Sequence, residues 1–186
     1  MIIEVTPKCI QINTFAFSTP QFGSAFAEVL GTPSRVVALG DPAPFGHRNN
    51  HALFYDDVGL YLLEHHATRL IQAIVFVFAH EHAILRPLRD FRDTVSLFGV
   101  AVEHPMLARE FAAKCPRPFE GVLGSIYVDC EFGTVVLPTY AERTRSGRTS
   151  SRRYITEVSV GFEGSHIEGK ERGERKEERK GTQLFD

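Results

Sequence analysis

The sequence predicts an α+β protein, with an antiparallel sheet built from two helix–β–β–β repeats and the helices packed on one face. Short apolar segments alternate with turn residues along most of the chain, as in sheet-rich proteins. The order of a helix, a loop and three strands then recurs. The two helices are predicted to start 85 residues apart, at Pro20 and Pro105, and the final strands 84 apart, at Leu70 and Tyr154.

The first half contains a well-marked helix. Ser18 and Thr19 can cap its start and Pro20 suits the first helical position, while Phe and aliphatic residues recur at helical spacing. Gly31, with Pro33 beyond it, predicts the helix end and an extended segment after it. Residues 38–51 are rich in Pro, Gly and Asn and predict a loop. Alternation or β-branched composition predicts the strands of this half, at residues 2–5, 9–15, 53–55, 59–64 and 69–78.

The second half repeats this outline. A strand at 95–102 precedes a helix that begins at His104–Pro105 and ends at Pro116. The apolar segment 125–139, with a short turn inside it, leads through a basic turn to the final strand at 154–162. We therefore predict one domain over 1–163, divided into repeats of about 1–93 and 94–163. Residues 164–186 are charged and nearly free of apolar side chains, so we expect a disordered tail.

Composition narrows the function classes. The net charge is −2 and the pI about 6.4, which argues against a general nucleic-acid binder because phosphates need a basic face. The longest apolar run, 74–79, is too short for a bilayer, and the N-terminus lacks the pattern of a signal peptide, so we expect a cytoplasmic protein without membrane contact. The three cysteines form no CxxC pair, which argues against a cysteine zinc site and against a disulfide framework. Nucleophile-elbow, P-loop, GxGxxG and HExxH patterns are missing, so we predict no cofactor and favour a non-enzyme.

The segment 54–82 contains four of the eight histidines. If 59–78 is one hairpin with its turn at Ala67–Thr68, Glu64 pairs with Ile71, and His66 and His80 lie on the order of 35 Å apart. One metal ion cannot bind both ends, since its ligands lie about 2 Å away. The histidines therefore form two separate groups.

The turn end of this hairpin is a candidate partner-binding surface, because arginine and aromatic residues are favoured at interfaces. A polar hairpin tip without a partner is the alternative. Residues of the 38–51 loop and of the arginine-rich turn at 141–153 could contact the same or another partner. The candidate partner-binding residues are Tyr61, His65, His66, Arg69, His47, Arg48, Asn49, Arg145 and Arg148.

The other end is a candidate metal site. His80 and His82 share a face if the strand continues, and the strand pairing is expected to bring His51 toward them. His47 could join this group. An HxH pair is a weak motif, and surface histidines without a ligand are the alternative.

Three motifs carry a resemblance to known proteins: LGTPSRVV from Leu30, PAPFGHRNN from Pro42 and FYDDVGLYLLEHHATR from Phe54. They resemble an uncharacterised bacterial family of unknown function, matching up to about Phe162. The pattern of helix, LGxP, YDxxGL and final apolar strand also resembles β-lactamase-inhibitor-protein-like and outer-membrane-assembly-lipoprotein repeats. This resemblance implies a protein-binding scaffold, and small acidic bacterial proteins of this type resemble immunity proteins.

The sequence therefore favours a non-catalytic protein-binding module, specifically a bacterial immunity protein that neutralises a cognate secreted toxin or effector. The alternative is a metal-binding protein or metal-dependent enzyme that uses His47, His51, His80 and His82. The sequence does not predict the oligomeric state.

Overall fold

The computed structural model describes residues 1–39, 50–79, 85, 87–116, 118–120, 124–143 and 149–163. Half of these residues lie in strands. The helices are α1 (Gly23–Leu30) and α2 (Ala108–Lys114). The strands are β1 (Ile3–Val5), β2 (Ile10–Ile12), β3 (Phe15–Phe17), β4 (Arg35–Leu39), β5 (Asn50–Tyr55), β6 (Leu60–His65), β7 (Ile71–Val77), β8 (Val95–Leu97), β9 (Val100–Val102), β10 (Phe119–Glu120), β11 (Ile126–Cys130), β12 (Gly133–Leu137), β13 (Thr139–Arg143), β14 (Thr149–Ile155) and β15 (Glu157–Phe162).

The predicted fold class, an α+β protein of two helix–β–β–β repeats, is wrong. The protein is mostly β, and its described part contains two short helices among large antiparallel sheets. The predicted unit of three strands undercounts the strands, because several apolar segments fold back on themselves. The segment 95–102, predicted as one strand, is a hairpin of β8 and β9, with Phe98 (φ 54°) and Gly99 (φ 82°) in the left-handed conformation of a tight turn.

The largest sheet has eight strands in the order β10-β11-β12-β15-β7-β6-β5-β4, all antiparallel. Strands β6, β7 and β15 lie inside it, and apolar side chains are buried on both of their faces. This explains their nearly continuous apolar sequences, since a strand covered on both sides does not alternate. Strand β4 is an edge of this sheet.

A second sheet of five strands, in the order β3-β2-β1-β8-β9, packs against one face of the first. The apolar side chains of the two facing sheets share one core, to which α1 contributes Phe26 and α2 contributes Phe111. The opposite face of the eight-stranded sheet has a smaller apolar cluster that includes Tyr61, Leu63, Leu85 and Leu88. The two faces of the large sheet are therefore distinct environments.

Both helices begin later than predicted, because the residues before them pair with strands. The carbonyl of Gln21 accepts a hydrogen bond from the Ile71 N–H at 2.7 Å, and Phe22 forms a bridge with Leu70. Phe22 is therefore extended, and α1 begins at Gly23 rather than at Pro20.

The second helix is held in the same way. The Met106 carbonyl accepts the Ile155 N–H at 3.0 Å, and Leu107 forms a bridge with Tyr154. Helix α2 accordingly begins at Ala108. The same pair of contacts thus recurs 84–85 residues along the chain.

The predicted division near residue 93 stays a prediction, and the tail 164–186 lies outside the described residues. None of the helices in the described ranges has the length and apolar character needed to cross a membrane.

Candidate binding surface at the β6–β7 hairpin end

Strands β6 and β7 are joined by a tight turn that positions Arg69. The His65 N–H donates to the Leu70 carbonyl at 2.9 Å, and the Arg69 N–H donates to the His65 carbonyl at 2.8 Å. Arg69 takes a left-handed conformation, with φ 61°, at a turn position that favours glycine or asparagine. A side chain with a Cβ costs about 1 kcal/mol there. The local preference of the turn does not account for arginine at this position.

The head group of Arg69 lies beside a buried carboxylate. The Nε of Arg69 is 3.1 Å from Oε2 of Glu64, whose side chain is only 5% exposed. In the described part of the chain this oxygen has no hydrogen bond, so the contact is an ion pair without the directional geometry of an N–H donor. Arg69 therefore offsets part of the cost of burying Glu64.

A histidine completes this cluster. His51 pairs with Glu64 across β5 and β6, and its Nδ1 lies 3.5 Å from Oε2 of Glu64. The same Nδ1 is 3.5 Å from Nη1 of Arg69. The guanidinium thus extends from the turn, across Glu64, to His51.

Helix α1 covers the cluster from the core side. A Cβ built on Gly23, the first residue of the helix, would lie 3.5 Å from Oε1 of Glu64 and 3.5 Å from the Leu53 side chain. The first residue of α1 thus packs close to the Glu64 side chain, and Phe22, the capping residue, makes no side-chain hydrogen bond to the helix.

Apolar side chains lie exposed around the cluster. Phe22 is 58% exposed, and Val36 on β4 is 57% exposed. Ala38 is also exposed and pairs with His51 across β4 and β5. We call the exposed and half-exposed members of this region, with Glu64 buried beneath them, the hairpin-end surface: Phe22, Val36, Ala38, His51, His66 and Arg69. His65 pairs with Asn50 and lies on the opposite face of the sheet, at the edge of this surface.

His65 and His66 are closer to each other than adjacent residues of a regular strand. Their ring centroids lie 5.4 Å apart, because β6 ends at His65 and His66 already belongs to the turn. The ring of His65 also stabilises this turn, since its Nδ1 accepts the Thr68 N–H at 3.3 Å. His66 is the more exposed of the two.

Tyr61, predicted as a partner contact, does not belong to this surface. It is 3% exposed and packs on the opposite face of the sheet, with its ring centroid 5.2 Å from that of Phe54. Alternation along β6 explains this location, because Tyr61 and Leu63 point to one face while Leu62 and Glu64 point to the other.

The remaining predicted site residues are His47, Arg48, Asn49, His80, His82, Arg145 and Arg148, and all of them lie outside the described residues. His51 lies at the hairpin end with Arg69, and β7 runs away from this end to Val77. Within the described ranges, no group of three His, Cys, Asp or Glu side chains is arranged to hold a metal ion. The metal site at His51, His80 and His82 stays a prediction.

A second buried carboxyl lies away from the hairpin-end surface. Glu157 is 6% exposed, pairs with Val77, and has a pKa raised to about 7 by burial. Burial and the charge of Glu157 raise the pKa of Tyr61 well above its ordinary value. Tyr61 is therefore protonated at neutral pH, whereas the Glu157 carboxyl gains or loses its proton near pH 7.

Three features of this surface were not predicted from the sequence: the burial of Glu64 and the exposure of Phe22 and Val36. One pattern could have revealed the first. Leu60, Leu62 and Glu64 occupy alternate positions of β6, so the carboxylate continues an apolar row. The exposure of Phe22 has no such pattern, since Phe22 fits the apolar stripe predicted for the helix.

The three free thiols differ in their surroundings. Burial raises the pKa of Cys115 to about 11. The pKa of Cys130 is raised to about 12, mainly by burial and to a lesser extent by the nearby charges of Asp129 and Cys115. Only the thiolate is reactive. We expect iodoacetamide at pH 8 to modify the half-buried Cys9 at least about tenfold faster than either of the others, by peptide mass spectrometry. Equal labelling of all three in the folded chain would contradict these environments, and equal labelling after unfolding in guanidinium is the control.

The Glu64–Arg69 contact predicts a measurable coupling. Arg69→Asn keeps a residue that tolerates the left-handed turn conformation but removes the cation from Glu64. Because Arg69 is 59% exposed, solvent screening limits the coupling to about 1 kcal/mol. We expect Arg69→Asn to destabilise the wild-type chain and to be neutral or stabilising in a Glu64→Gln background, by urea unfolding. Additive effects of the two substitutions would show that the contact has no energetic role.

In comparisons with known proteins, no family model, curated protein or solved structure matches this chain.

Proposed function

We propose that the chain is a non-catalytic protein-binding module that contacts its partner through the hairpin-end surface. The specific form of this proposal is a bacterial immunity protein that neutralises a secreted toxin. The immunity role rests on the mild acidity of the chain and on the absence of catalytic sequence patterns. The location of the binding surface rests on geometry.

The observation that carries the location is Arg69. It occupies a strained backbone conformation, and its guanidinium is held by a buried carboxylate while more than half of the side chain stays exposed. Backbone strain of this kind is typical of functional positions. An arginine whose geometry is set before binding loses less conformational entropy when it contacts a partner.

Two other members of the hairpin-end surface support the same location. Phe22 and Val36 are among the most exposed large apolar side chains of the described residues. Aromatic residues and arginine are enriched at the energetic centres of protein interfaces. The combination of a fixed arginine, an exposed phenylalanine and an exposed edge-strand valine fits a protein partner better than a small molecule.

The proposal is tested by recovering the partner and by its effect on growth. The tagged full chain is purified from its native host at endogenous levels, and each co-purifying protein is then expressed alone and together with the chain. We expect one such protein to inhibit growth and the chain to relieve this inhibition. Arg69→Asn is expected to reduce the relief, whereas Arg109→Asn, which changes an exposed arginine on α2, is the matched control.

If no co-purifying protein inhibits growth, the immunity role is wrong. If one does, and Arg69→Asn protects as well as Arg109→Asn, the partner binds elsewhere and the location is wrong.

A further inference from the structure

Strand β4 is an edge that lacks the usual protection. In the described ranges it pairs with β5 on one side and has no strand on the other. Natural sheet edges are blunted by lysine, proline, bulges or very short strands. The opposite edge of the same sheet, β10, has two residues, but β4 has five and keeps a regular register from Arg35 to Leu39.

The only charged residue of β4 does not protect this edge. The Nε of Arg35 donates to both carboxylate oxygens of Asp56, at 3.0 and 3.2 Å. Its guanidinium carbon also lies 3.6 Å from the centroid of the Phe54 ring. Arg35 is thus held over β5, while Val36 and Ala38 present apolar side chains on the other face.

The side chains of His51 and Arg69 adjoin the Ala38 end of this edge. Ala38 pairs with His51, and the guanidinium of Arg69 reaches His51 from the opposite side. A strand added to β4 would lie about 4.8 Å from it. A glutamate opposite Ala38 could extend over this small side chain toward His51 and Arg69. The guanidinium of Arg69 is paired with Glu64 through Nε and is more than half exposed, so its remaining N–H groups can donate to a second carboxylate.

Resting on the proposed function, we infer that the partner supplies an extended segment that adds to β4 as a further strand, with apolar residues beside Val36 and an acidic residue opposite Ala38. Main-chain hydrogen bonds to the edge provide affinity, and the side-chain positions provide specificity. A second copy of this chain fits less well. The sequence of β4, RVVAL, contains no carboxylate that a second copy could place opposite Ala38.

The test uses the full chain and three synthetic blocked peptides of alternating valine and threonine. The first carries one central glutamate, the second a lysine in its place, and the third the glutamate with N-methylated backbone amides. Backbone amide NMR shifts are followed during titration. We expect the glutamate peptide to shift the amides of β4 and to bind at least about fivefold more tightly than either of the other two.

Arg69→Asn is expected to remove the preference for glutamate over lysine, and Arg109→Asn is expected to keep it. Shifts located away from β4, or equal binding of the three peptides, would overturn strand addition. These outcomes are independent of the growth experiment. A toxic partner that leaves β4 amide exchange unchanged refutes strand addition alone, whereas peptide binding without any toxic partner refutes the immunity role alone.

Discussion

Replacing Glu157 by glutamine is expected to stabilise the protein at pH 8 by roughly 3 kcal/mol and to change its stability little at pH 4.5 or below. The carboxyl of Glu157 is buried beside Tyr61, and burial raises its pKa from 4.5 to about 7. The folded chain therefore retains a proton that the unfolded chain has already lost over this pH interval.

The direction of the pH dependence follows from proton binding. Between pH 4.5 and about 7 the folded state binds more protons than the unfolded state, so stability falls as the pH rises. At about 1.4 kcal/mol for each pH unit, the loss is complete above pH 7 and amounts to roughly 3 kcal/mol. Glutamine has a similar shape and no charge at any of these pH values, which removes this contribution.

The measurement is urea unfolding of the wild-type chain and the Glu157→Gln variant at pH 4.5, 6 and 8. Other titrating groups cancel in the difference between the two proteins. Glu4→Gln, which replaces an exposed carboxylate on β1, is the control and is expected to show no comparable pH-dependent gain. A constant difference between Glu157→Gln and wild type across the three pH values would show that the buried carboxyl does not titrate in this interval.

The substitution Gly59→Ala is expected to destabilise the protein by at least about 3 kcal/mol, or to prevent its accumulation as folded protein. Gly59 has a left-handed backbone, with φ 86°. A Cβ on it would lie 2.6 Å from Cα of Phe91 and 2.7 Å from the Arg89 carbonyl oxygen. These are backbone atoms of a segment that pairs with Val77 and Asp56, so they cannot move without loss of those hydrogen bonds.

Gly99→Ala is the matched control for this effect. Gly99 has nearly the same backbone conformation, with φ 82°, but no atom lies within 4 Å of an added Cβ. We expect it to cost only about 1 kcal/mol, the price of the left-handed conformation alone. Urea unfolding at pH 7 measures both variants. Equal losses would mean that the close packing of residues 89–91 on Gly59 does not constrain the fold.

The central hairpin is predicted well from the sequence because the residues that determine its turn and its strands are close together along the chain. The pairing of Glu64 with Ile71, expected from a turn at Ala67–Thr68, is confirmed by the register of β6 and β7. A register shift after this pair was not predicted, and it places Leu63 opposite Ala73 and moves the rest of the hairpin by one residue. The extended segment after α1, expected from Gly31 and Pro33, is β4. In both places the turn residues and the apolar period point to one structure.

The fold class was predicted incorrectly because very short strands resemble other elements. Residues 9–15, predicted as a single strand, divide at Asn13, which has φ 54°, into parts of β2 and β3. Strands of three residues carry too few positions for alternation to distinguish a hairpin from one strand. The helix starts were predicted incorrectly for a different reason. The pairing of Phe22 with Leu70 is a tertiary contact, and no local sequence pattern encodes it.

Less than half of the hairpin-end surface could be predicted from the sequence. His65, His66 and Arg69 are recognisable as a polar turn. The left-handed conformation of Arg69, the burial of Glu64 under Gly23, and the exposure of Val36 depend on strand order and on the position of α1. These features require the three-dimensional arrangement, and they are what separates a candidate binding surface from an ordinary loop.

The central claim, that partners bind at the hairpin-end surface, is tested most directly by site-specific photo-crosslinking. A benzophenone amino acid replaces Phe22 in one variant and Tyr140, which is exposed on β13, in the other, so each exchange is aromatic for aromatic. After irradiation with the partner recovered from the native host, we predict a crosslinked complex from position 22 and none from position 140. A crosslink from position 140 with none from position 22 would contradict the account.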